Sequence, residues 1–309
     1  MRDERPDGET GKLRIYQDGV AIITGGASGI GRALGEALSR RGAHVVLADR
    51  QIELAEKIAA EIREGGTLAS AAEVDVTDFA AVCRLVQDTL SAHGRLDYFF
   101  NNAGIGIGGE VRLYQIEDWY QVLDVNLRGV VHGIQAAYPV MLRQGFGHLV
   151  NTASMAGLMP APWSVSYAAT KHAVVGLSTS LRIEAAPAGV RVSVLCPGVI
   201  QTPILEDAGK YGKLLIPVSH KTQRRYWERL RPMPADRFAI RVLRGVAKNK
   251  AIIIVPSWWK AFWWLNRLSP SLGLYMGRRF LEAAKRRMEG DSAGGVLPRN
   301  EATISEGHA

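Results

Sequence analysis

Short apolar runs alternate with longer amphipathic segments over the first two-thirds of the chain. Apolar, β-branched runs of this kind predict strands, here at 20–24, 44–48, 68–74, 96–100, 148–152 and 190–195. Segments with apolar residues at helical spacing separate them, at 30–41, 52–63, 78–92, 117–142 and 166–185. Alternating strands and helices predict an α/β fold, a doubly wound parallel sheet with helices on both faces.

The pattern loosens after residue 205. The elements expected there are a basic loop at 206–232, a helix at 235–247 and a strand at 251–255. Ser257 is predicted to cap a Trp-rich helix, Ser269 and Pro270 interrupt it, and a second basic helix follows to about Met288. We therefore divide the chain into a polar N-terminal tail (1–16), one α/β domain (17–256), a helical extension (257–289) and a disordered tail (290–309).

Composition narrows the class of protein. The 309 residues are 47% hydrophobic and 22% charged, which suits a globular protein. The sequence contains no uninterrupted run of about 18 apolar residues, so we do not expect a polytopic membrane protein. Cys83 and Cys196 lie in segments predicted as buried, so we interpret both as core residues. Unpaired cysteines of this kind are typical of a protein from a reducing compartment. The N-terminus does not resemble a secretory signal, and we expect a cytoplasmic protein.

Positive charge is concentrated near the C-terminus. Residues 206–309 contain 20 Lys and Arg against 9 Asp and Glu, whereas residues 1–205 contain 18 against 21. Arg224, Arg225, Tyr226 and Trp227 mix charge with aromatic rings, but no nucleic-acid recognition module surrounds them. We expect no nucleic-acid partner, and no cluster of residues has the spacing of metal ligands.

A glycine-rich turn follows the first predicted strand and opens the first predicted helix. Such a turn lets the backbone approach a pyrophosphate, which then lies on the N–H groups and positive dipole of the helix. A glycine-rich turn alone is weak evidence, and its position between strand and helix makes it stronger. We predict dinucleotide contacts from Gly25, Ser28, Gly29, Ile30 and Gly31.

Asp49 ends the second predicted strand. A carboxylate there can accept hydrogen bonds from the adenosine ribose and would repel a 2′-phosphate, which favours NAD. The adjacent Arg50 could instead pair with that phosphate, so NADP is not excluded. The alternative role for Asp49 is to cap the next helix.

Several motifs follow one another along the chain: the turn Thr-Gly-x-x-x-Gly-Ile-Gly at 24–31, Asn101-Asn102-Ala103-Gly104, Asn126, Ser154, Tyr167-x-x-x-Lys171 and Pro197-Gly198. In order and spacing they resemble the motifs of the short-chain dehydrogenases/reductases. Together they are highly specific, although each is common, and they cover roughly residues 17–205. The resemblance implies a Rossmann-type fold and hydride transfer between a nicotinamide and an alcohol or carbonyl.

Tyr167 and Lys171 lie four residues apart, on one face of a predicted helix. The ordinary tyrosine pKa of about 10 is too high for a base at neutral pH, and we expect the Lys171 ammonium to lower the pKa of Tyr167. Ser154 follows a strand and can orient the substrate oxygen. Ser164 and Ser166 are rival serines, but Ser154 matches the family motif.

The resemblance also implies roles for other residues. Asn126 helps to bind a water that continues a proton relay from Lys171, which also bonds the nicotinamide ribose. Asp75 and Val76 flank the adenine. The remaining cofactor contacts implied are Asn102, Ala103 and Gly104 beneath the dinucleotide, and Pro197, Gly198, Val199, Ile200 and Thr202 over the nicotinamide.

The C-terminal extension departs from many family members, which end soon after the last strand. Four of the seven tryptophans lie at 258–264, with Lys260 and Arg267 among them. This segment could pack as a lid over the substrate pocket, form a dimer contact, or attach peripherally to a membrane. The extra residues favour a homodimer over the common tetramer. Similarly extended membrane-associated retinol- and steroid-type members, together with apolar Leu158, Met159 and Trp163, favour a lipophilic substrate.

Two functional hypotheses follow. The first is an NAD(P)-dependent oxidoreductase acting on a secondary or lipophilic alcohol or carbonyl, with Tyr167 as general acid and base. The second is a catalytically silent dinucleotide-binding or membrane-tethered scaffold protein, whose usual mark would be loss of the tyrosine or the lysine. Both residues are present.

Overall fold

The computed structural model of the protein describes residues 12–206, 211–216 and 220–292. Seven strands form one parallel sheet in the order β3-β2-β1-β4-β6-β7-β11. Two short parallel pairs, β5 with β9 and β8 with β10, lie outside it. The strands are β1 Val20–Thr24, β2 His44–Asp49, β3 Ala69–Glu73, β4 Tyr98–Asn101, β5 Gly106–Gly108, β6 Gly147–Thr152, β7 Val190–Pro197, β8 Ile200–Gln201, β9 Gly212–Leu214, β10 Met233–Pro234 and β11 Ile252–Val255.

Helices cover both faces of the sheet, as the alternating pattern predicted. The helices are α1 Gly29–Ser39, α2 Ile52–Glu64, α3 Phe79–His93, α4 Ile116–Leu123, α5 Gly129–Gln144, α6 Val165–Ala185, α7 Pro203–Glu206, α8 His220–Arg229, α9 Ala235–Ala247, α10 Trp259–Leu268 and α11 Pro270–Ser292. Helices α1, α2 and α9 pack in one hydrophobic cluster, and α3, α5 and α6 in a second. The predicted doubly wound parallel sheet, a Rossmann-type topology, is confirmed.

The central strands are apolar on both faces because both faces are covered. Ile22 and Ile23 of β1 and Phe99 and Phe100 of β4 are all fully buried. The order of connections reverses between β1 and β4, so a crevice opens at their carboxyl ends. In open α/β sheets this is where ligands bind.

The predicted helix at 117–142 is interrupted in the structure. A π-helical turn, Asp124–Arg128, separates α4 from α5. Asn126 lies in this turn, fully buried, and its side chain bonds the backbone of Ile105. A π-turn inside an α-helix is frequently found at a functional site, so the interruption draws attention to Asn126.

Three expectations for the chain after residue 205 need correction. The predicted loop at 206–232 contains α8, a polar helix with an Arg224–Glu228 ion pair, whose sequence lacks an apolar stripe. Ser257 does not cap the Trp-rich helix: Trp258 holds the N-cap position of α10, without a side-chain cap. Helix α11 continues to Ser292, so residues 290–292 of the predicted tail are helical, while 293–309 lie outside the described residues.

The predicted N-terminal tail is described only from residue 12. Residues 12–16 attach to the domain: Leu13 packs against the first hydrophobic cluster and Tyr16 is buried within it. The Tyr16 hydroxyl donates a hydrogen bond to the Leu243 carbonyl. The folded domain therefore includes these residues, and residues 1–11 lie outside the described ranges.

Candidate active site

The glycine-rich turn is packed so closely that its glycines leave no room for a side chain. Gly25 has φ +65°, a left-handed conformation that favours glycine. A Cβ at Gly31 would lie 2.0 Å from the carbonyl oxygen of Gly25, and one at Gly25 would lie 2.9 Å from Cα of Ala103. The turn and the start of α1 therefore form a cradle of bare backbone that fits the pyrophosphate of a dinucleotide.

Ser28, Gly29 and Ile30 mark the start of α1. Ser28 is the N-cap residue, and its side chain caps no backbone N–H. N–H groups in the first turn of a helix have no partner within the helix, so these can face an anion. A Cβ at Gly29 would lie 3.2 Å from Cβ of Thr202, which brings the segment after β7 against the cradle.

Asp49 lies at the carboxyl end of β2 and is 7% exposed. Its carboxylate accepts hydrogen bonds from the backbone N–H groups of Ala27 and Gln51, both at 3.0 Å. Asp49 thus holds the glycine-rich turn against the sheet, a contact that the sequence did not indicate, while Gln51 occupies the N-cap of α2. Arg50 is exposed.

Asp75 and Val76 follow β3. The Asp75 carboxylate accepts hydrogen bonds from the Thr77 backbone N–H (2.8 Å) and hydroxyl (2.7 Å). Val76 is 8% exposed and contacts Gly129, where a Cβ would lie 2.8 Å from its side chain. These contacts fix the turn after β3 beside α5, next to the crevice.

Asn102, Ala103 and Gly104 are tied to the glycine-rich turn through Thr24. The Thr24 hydroxyl accepts hydrogen bonds from the backbone N–H groups of Asn102 (3.0 Å) and Ala103 (3.1 Å). The Asn102 side chain donates to the Thr24 carbonyl at 3.1 Å. Thr24 therefore joins two of the predicted cofactor segments. The sequence predicted no separate role for Thr24, although a hydroxyl at the end of a strand pointed to one.

Ser154, Tyr167 and Lys171 come together at the carboxyl end of β6. The Lys171 ammonium donates a hydrogen bond to the Thr152 carbonyl at 2.9 Å and lies 5.4 Å from the centre of the Tyr167 ring. Lys171 is 3% exposed. The Ser154 side chain hydrogen-bonds Tyr167 and also accepts the Ala156 backbone N–H at 3.1 Å. The structure thus brings the three predicted catalytic side chains together.

The electrostatics of this group differ from the expectation. Burial raises the pKa of Tyr167 above its ordinary value, and the hydrogen bond from Ser154 offsets this only in part. Burial also lowers the pKa of the Lys171 ammonium, to about 8, and the neighbouring Cys196 thiol works in the opposite direction. The expected lowering of the Tyr167 pKa by Lys171 is therefore not what the structure shows: desolvation is the larger effect.

Asn126 and Lys171 both lie close to Gly104. A Cβ at Gly104 would lie 3.2 Å from Oδ1 of Asn126 and 3.5 Å from Nζ of Lys171. Asn126 accepts the Ile105 N–H at 2.8 Å and donates to the Ile105 carbonyl at 2.9 Å. The protein contact of Asn126 is thus a clamp on the backbone after Gly104, and its water-binding role stays a prediction.

The segment from Pro197 to Thr202 leaves β7 beside the same group. Cys196, the residue before Pro197, hydrogen-bonds the backbone of Ser154. A Cβ at Gly198 would lie 2.1 Å from Nε1 of Trp259, so the first turn of α10 rests directly on Gly198. Val199 accepts a hydrogen bond from the Met233 N–H at 3.0 Å, and Ile200 is buried. Trp259, one of the four tryptophans at 258–264, thus lies against a segment predicted to contact the cofactor.

Trp163 lies four residues before Tyr167 with φ +64°. This conformation is rare and strained for a bulky residue. The Trp163 carbonyl accepts the Gly109 N–H at 2.7 Å, and its indole N–H is buried without a partner among the described residues. A strained backbone beside Tyr167 supports a functional role for this loop. In the described parts of the chain, no group of three or more His, Cys, Asp or Glu could hold a metal ion.

Comparison with known proteins agrees with this geometry. The sequence profile of the short chain dehydrogenase family matches residues 19–211. An uncharacterised oxidoreductase of Staphylococcus epidermidis is 35% identical over 197 residues, 63% of this chain and 84% of that protein. A short chain dehydrogenase/reductase from Burkholderia phymatum, crystallised with NAD, has a TM-score of 0.75 at 31% identity, over 84% of this chain and 96% of that chain. Levodione reductase has a TM-score of 0.70 at 32% identity, over 77% and 96%.

The chain belongs to the short-chain dehydrogenase/reductase family and is an oxidoreductase of that type. The resemblance seen in the motifs is confirmed. The profile match ends at residue 211, so α10 and α11 lie beyond the part that this match covers.

Proposed function

We propose that the protein transfers hydride between a nicotinamide dinucleotide and a secondary or lipophilic alcohol or carbonyl, with Tyr167 as the general acid and base. The observation that carries the proposal is the grouping of Ser154, Tyr167 and Lys171 beside Gly104. They lie at the carboxyl end of the sheet, next to a glycine cradle that fits a dinucleotide. The dinucleotide, when bound, supplies or accepts the hydride.

The protein's own groups handle the proton. In carbonyl reduction, the Tyr167 hydroxyl gives its proton to the carbonyl oxygen while Ser154 holds that oxygen by a hydrogen bond. The phenolate that remains is stabilised by the Lys171 ammonium, and in alcohol oxidation the same proton moves back to it. Because burial raises the pKa of Tyr167, the phenol predominates at neutral pH. The unliganded site is therefore better prepared for reduction than for oxidation.

We propose NAD as the preferred cofactor, with NADP second. Asp49 keeps a buried carboxylate at the end of β2, where a 2′-phosphate would meet a like charge. Arg50, exposed next to it, favours the phosphate instead. The crystallised neighbour from Burkholderia phymatum contains NAD, which supports the same preference.

The apolar residues that follow Ser154 along the chain support a lipophilic substrate. Leu158 and Met159 are partly buried, and they pack on the same hydrophobic cluster as Trp259 and Trp263. An apolar wall beside a hydrogen-bonding serine and tyrosine is typical of a pocket that takes an apolar molecule with one polar group.

Initial rates of nicotinamide absorbance change test these proposals together. Alcohols and the matching ketones of increasing apolar length would be supplied with NAD(H) and, separately, NADP(H). We expect rates that rise with length and that are higher with NAD(H). Turnover confined to short polar alcohols would contradict the lipophilic class. No turnover of any substrate, with dinucleotide binding intact, would favour the catalytically silent alternative.

We further propose a homodimer that is located in the cytoplasm. Helix α6 carries exposed apolar side chains, Val165 (40%) and Ile183 (79%), which a second copy could cover. Strand β11 ends the sheet and is followed closely by α10, which argues against a tetramer that uses this edge. Light scattering should give a dimer mass for the wild type and a lower mass for Ile183→Glu; an unchanged mass would contradict the α6 contact. The peripheral membrane contact of residues 257–289 remains a proposal.

A further inference from the structure

The last two described helices expose an unusual amount of apolar surface. We call α10 and α11 with the preceding Trp258 the C-terminal hairpin. It accounts for the following exposed large apolar residues: Trp258 47%, Trp264 51%, Leu268 79%, Leu272 41%, Leu274 61%, Tyr275 61%, Met276 38% and Phe280 45%. No residue of α10 is fully buried. Exposed apolar side chains in this number on two packed helices indicate an interaction surface.

The same hairpin is strongly basic. Seven basic residues and three carboxylates lie between residues 258 and 292; the basic ones are Lys260, Arg267, Arg278, Arg279, Lys285, Arg286 and Arg287. Arg278 and Arg279 share Glu282 as partner, and Lys285 bonds Glu110. Arg267 lies 5.9 Å from the Trp263 ring centre. The carboxylates thus offset only part of the positive charge around the apolar residues.

Positive charge together with exposed aromatic rings favours an anionic lipid surface over a second copy of the chain as the partner. A second copy would bring one basic hairpin against another, and like charges would repel. An anionic lipid surface attracts Lys and Arg and accommodates Trp and Tyr rings at the level of its headgroups. None of the described helices is long and apolar enough to span a membrane, so the contact would lie along the surface.

The hairpin also contacts the active site directly. Trp259 rests on Gly198, and its indole N–H is buried without a partner among the described residues. At the other end of α10, the Asn266 side chain donates to the Leu158 carbonyl at 3.3 Å. Helix α10 therefore connects two segments of the site, the one after Pro197 and the one after Ser154.

We propose that the C-terminal hairpin docks on the surface of an anionic bilayer and thereby places the substrate pocket at the lipid, from which an apolar substrate enters. The entry of the substrate rests on the proposed function, whereas the docking does not. The apolar side chains lie in the headgroup region, and the basic side chains meet the anionic headgroups.

Vesicle sedimentation without substrate or cofactor tests the docking. We expect the full-length protein to sediment with phosphatidylcholine vesicles that contain phosphatidylserine, to stay in the supernatant with phosphatidylcholine alone, and to dissociate as salt is raised. Lys260→Gln should weaken the binding about fivefold, which corresponds to about 1 kcal/mol for one basic residue near the surface. Wild-type protein that stays in the supernatant with both vesicles, or binds both equally, would overturn the proposal.

A matched pair of variants locates the contact. Leu268→Glu places a carboxylate on the hairpin, and Leu68→Glu makes the same change at a leucine that is 51% exposed beside β3. We expect only Leu268→Glu to abolish sedimentation, with thermal stability unchanged in both variants. Loss of sedimentation in both would contradict the assignment to the hairpin. If Leu268→Glu instead converts a dimer to a monomer, and no vesicle binds the wild type, the hairpin forms an interface with a second copy of the chain.

A rate measurement separates the docking from the chemistry. Anionic vesicles should raise the wild-type rate on a long-chain substrate but not on a short water-soluble one, and Leu268→Glu should lose this increase while keeping the soluble rate. Sedimentation without any turnover would leave the docking standing and overturn the proposed function. Turnover that no vesicle changes would overturn substrate entry from lipid.

Discussion

Eleven residues separate helices α9 and α10 in the last third of the chain, and both helices carry large apolar side chains. In α9, Phe238, Val242 and Leu243 are all fully buried, because the helix packs against α1 and against the sheet. Helix α10 contains three tryptophans and a phenylalanine, yet none of its residues is fully buried. The helix follows the edge strand β11, and its contacts with the domain include Gly198 and Leu158.

The difference shows that apolar content does not by itself place a helix in a core. Helix α9 has an apolar stripe that matches one covered face of the sheet. Helix α10 is apolar on several faces, and only the face of Trp259 and Trp263 reaches the domain. Other apolar side chains of α10 lie against α11 or in solvent, where Trp264 is 51% and Leu268 79% exposed.

The largest expected difference in stability is between alanine variants of two phenylalanines, one in the core and one in the hairpin. Phe238→Ala removes a fully buried ring from α9 and should lower the free energy of unfolding by about 3–5 kcal/mol. Phe280→Ala, at a position that is 45% exposed in α11, should cost about 1 kcal/mol or less. Denaturant unfolding measures both, and equal losses would break the comparison between the core and the hairpin.

A smaller effect should reveal how tightly the two regions are coupled. Gly198→Ala would bring a Cβ to 2.1 Å from Nε1 of Trp259 and should cost about 1–3 kcal/mol by overpacking. In Gly198→Ala with Trp259→Ala the clash is absent, so the combined loss should be less than the sum of the single losses. Unfolding of the four proteins without cofactor gives the coupling; strictly additive losses would show that the contact is not made.

The last effect depends on pH and concerns a histidine buried within the sheet, in β6. His148 is fully buried, and burial, with help from Arg191 and Arg182, lowers its pKa to about 3. The unfolded chain, with a histidine pKa near 6.5, binds more protons between these values. Stability should therefore fall as the pH drops from about 6.5 toward 3, by about 1.4 kcal/mol per pH unit from this residue.

Histidine variants isolate this contribution. His148→Asn should lose less stability than the wild type between pH 7 and pH 5, whereas His172→Asn, at an exposed position, should follow the wild type. Unfolding curves at the two pH values give the comparison. A pH dependence that is the same in all three proteins would contradict the role of His148.

The sequence predicted the sheet domain well because local pattern and tertiary environment agree there. Strand 20–24 and helix 235–247 have the bounds that the structure shows. The π-turn at Asn126 and the polar helix α8 were not predicted, since one depends on a distant contact with Ile105 and the other has no apolar stripe. Motifs named Ser154, Tyr167 and Lys171, but the contact of Trp259 with Gly198 joins residues too far apart for any local pattern.

The central claim is that Tyr167 moves the proton while hydride is transferred. The most direct measurement is kcat/KM of Tyr167→Phe together with its affinity for the dinucleotide, with Tyr120→Phe, at a 58% exposed position, as control. We expect kcat/KM to fall by about 10²–10⁴ in Tyr167→Phe, with dinucleotide binding kept and Tyr120→Phe unchanged. A Tyr167→Phe variant as active as the wild type would contradict the account.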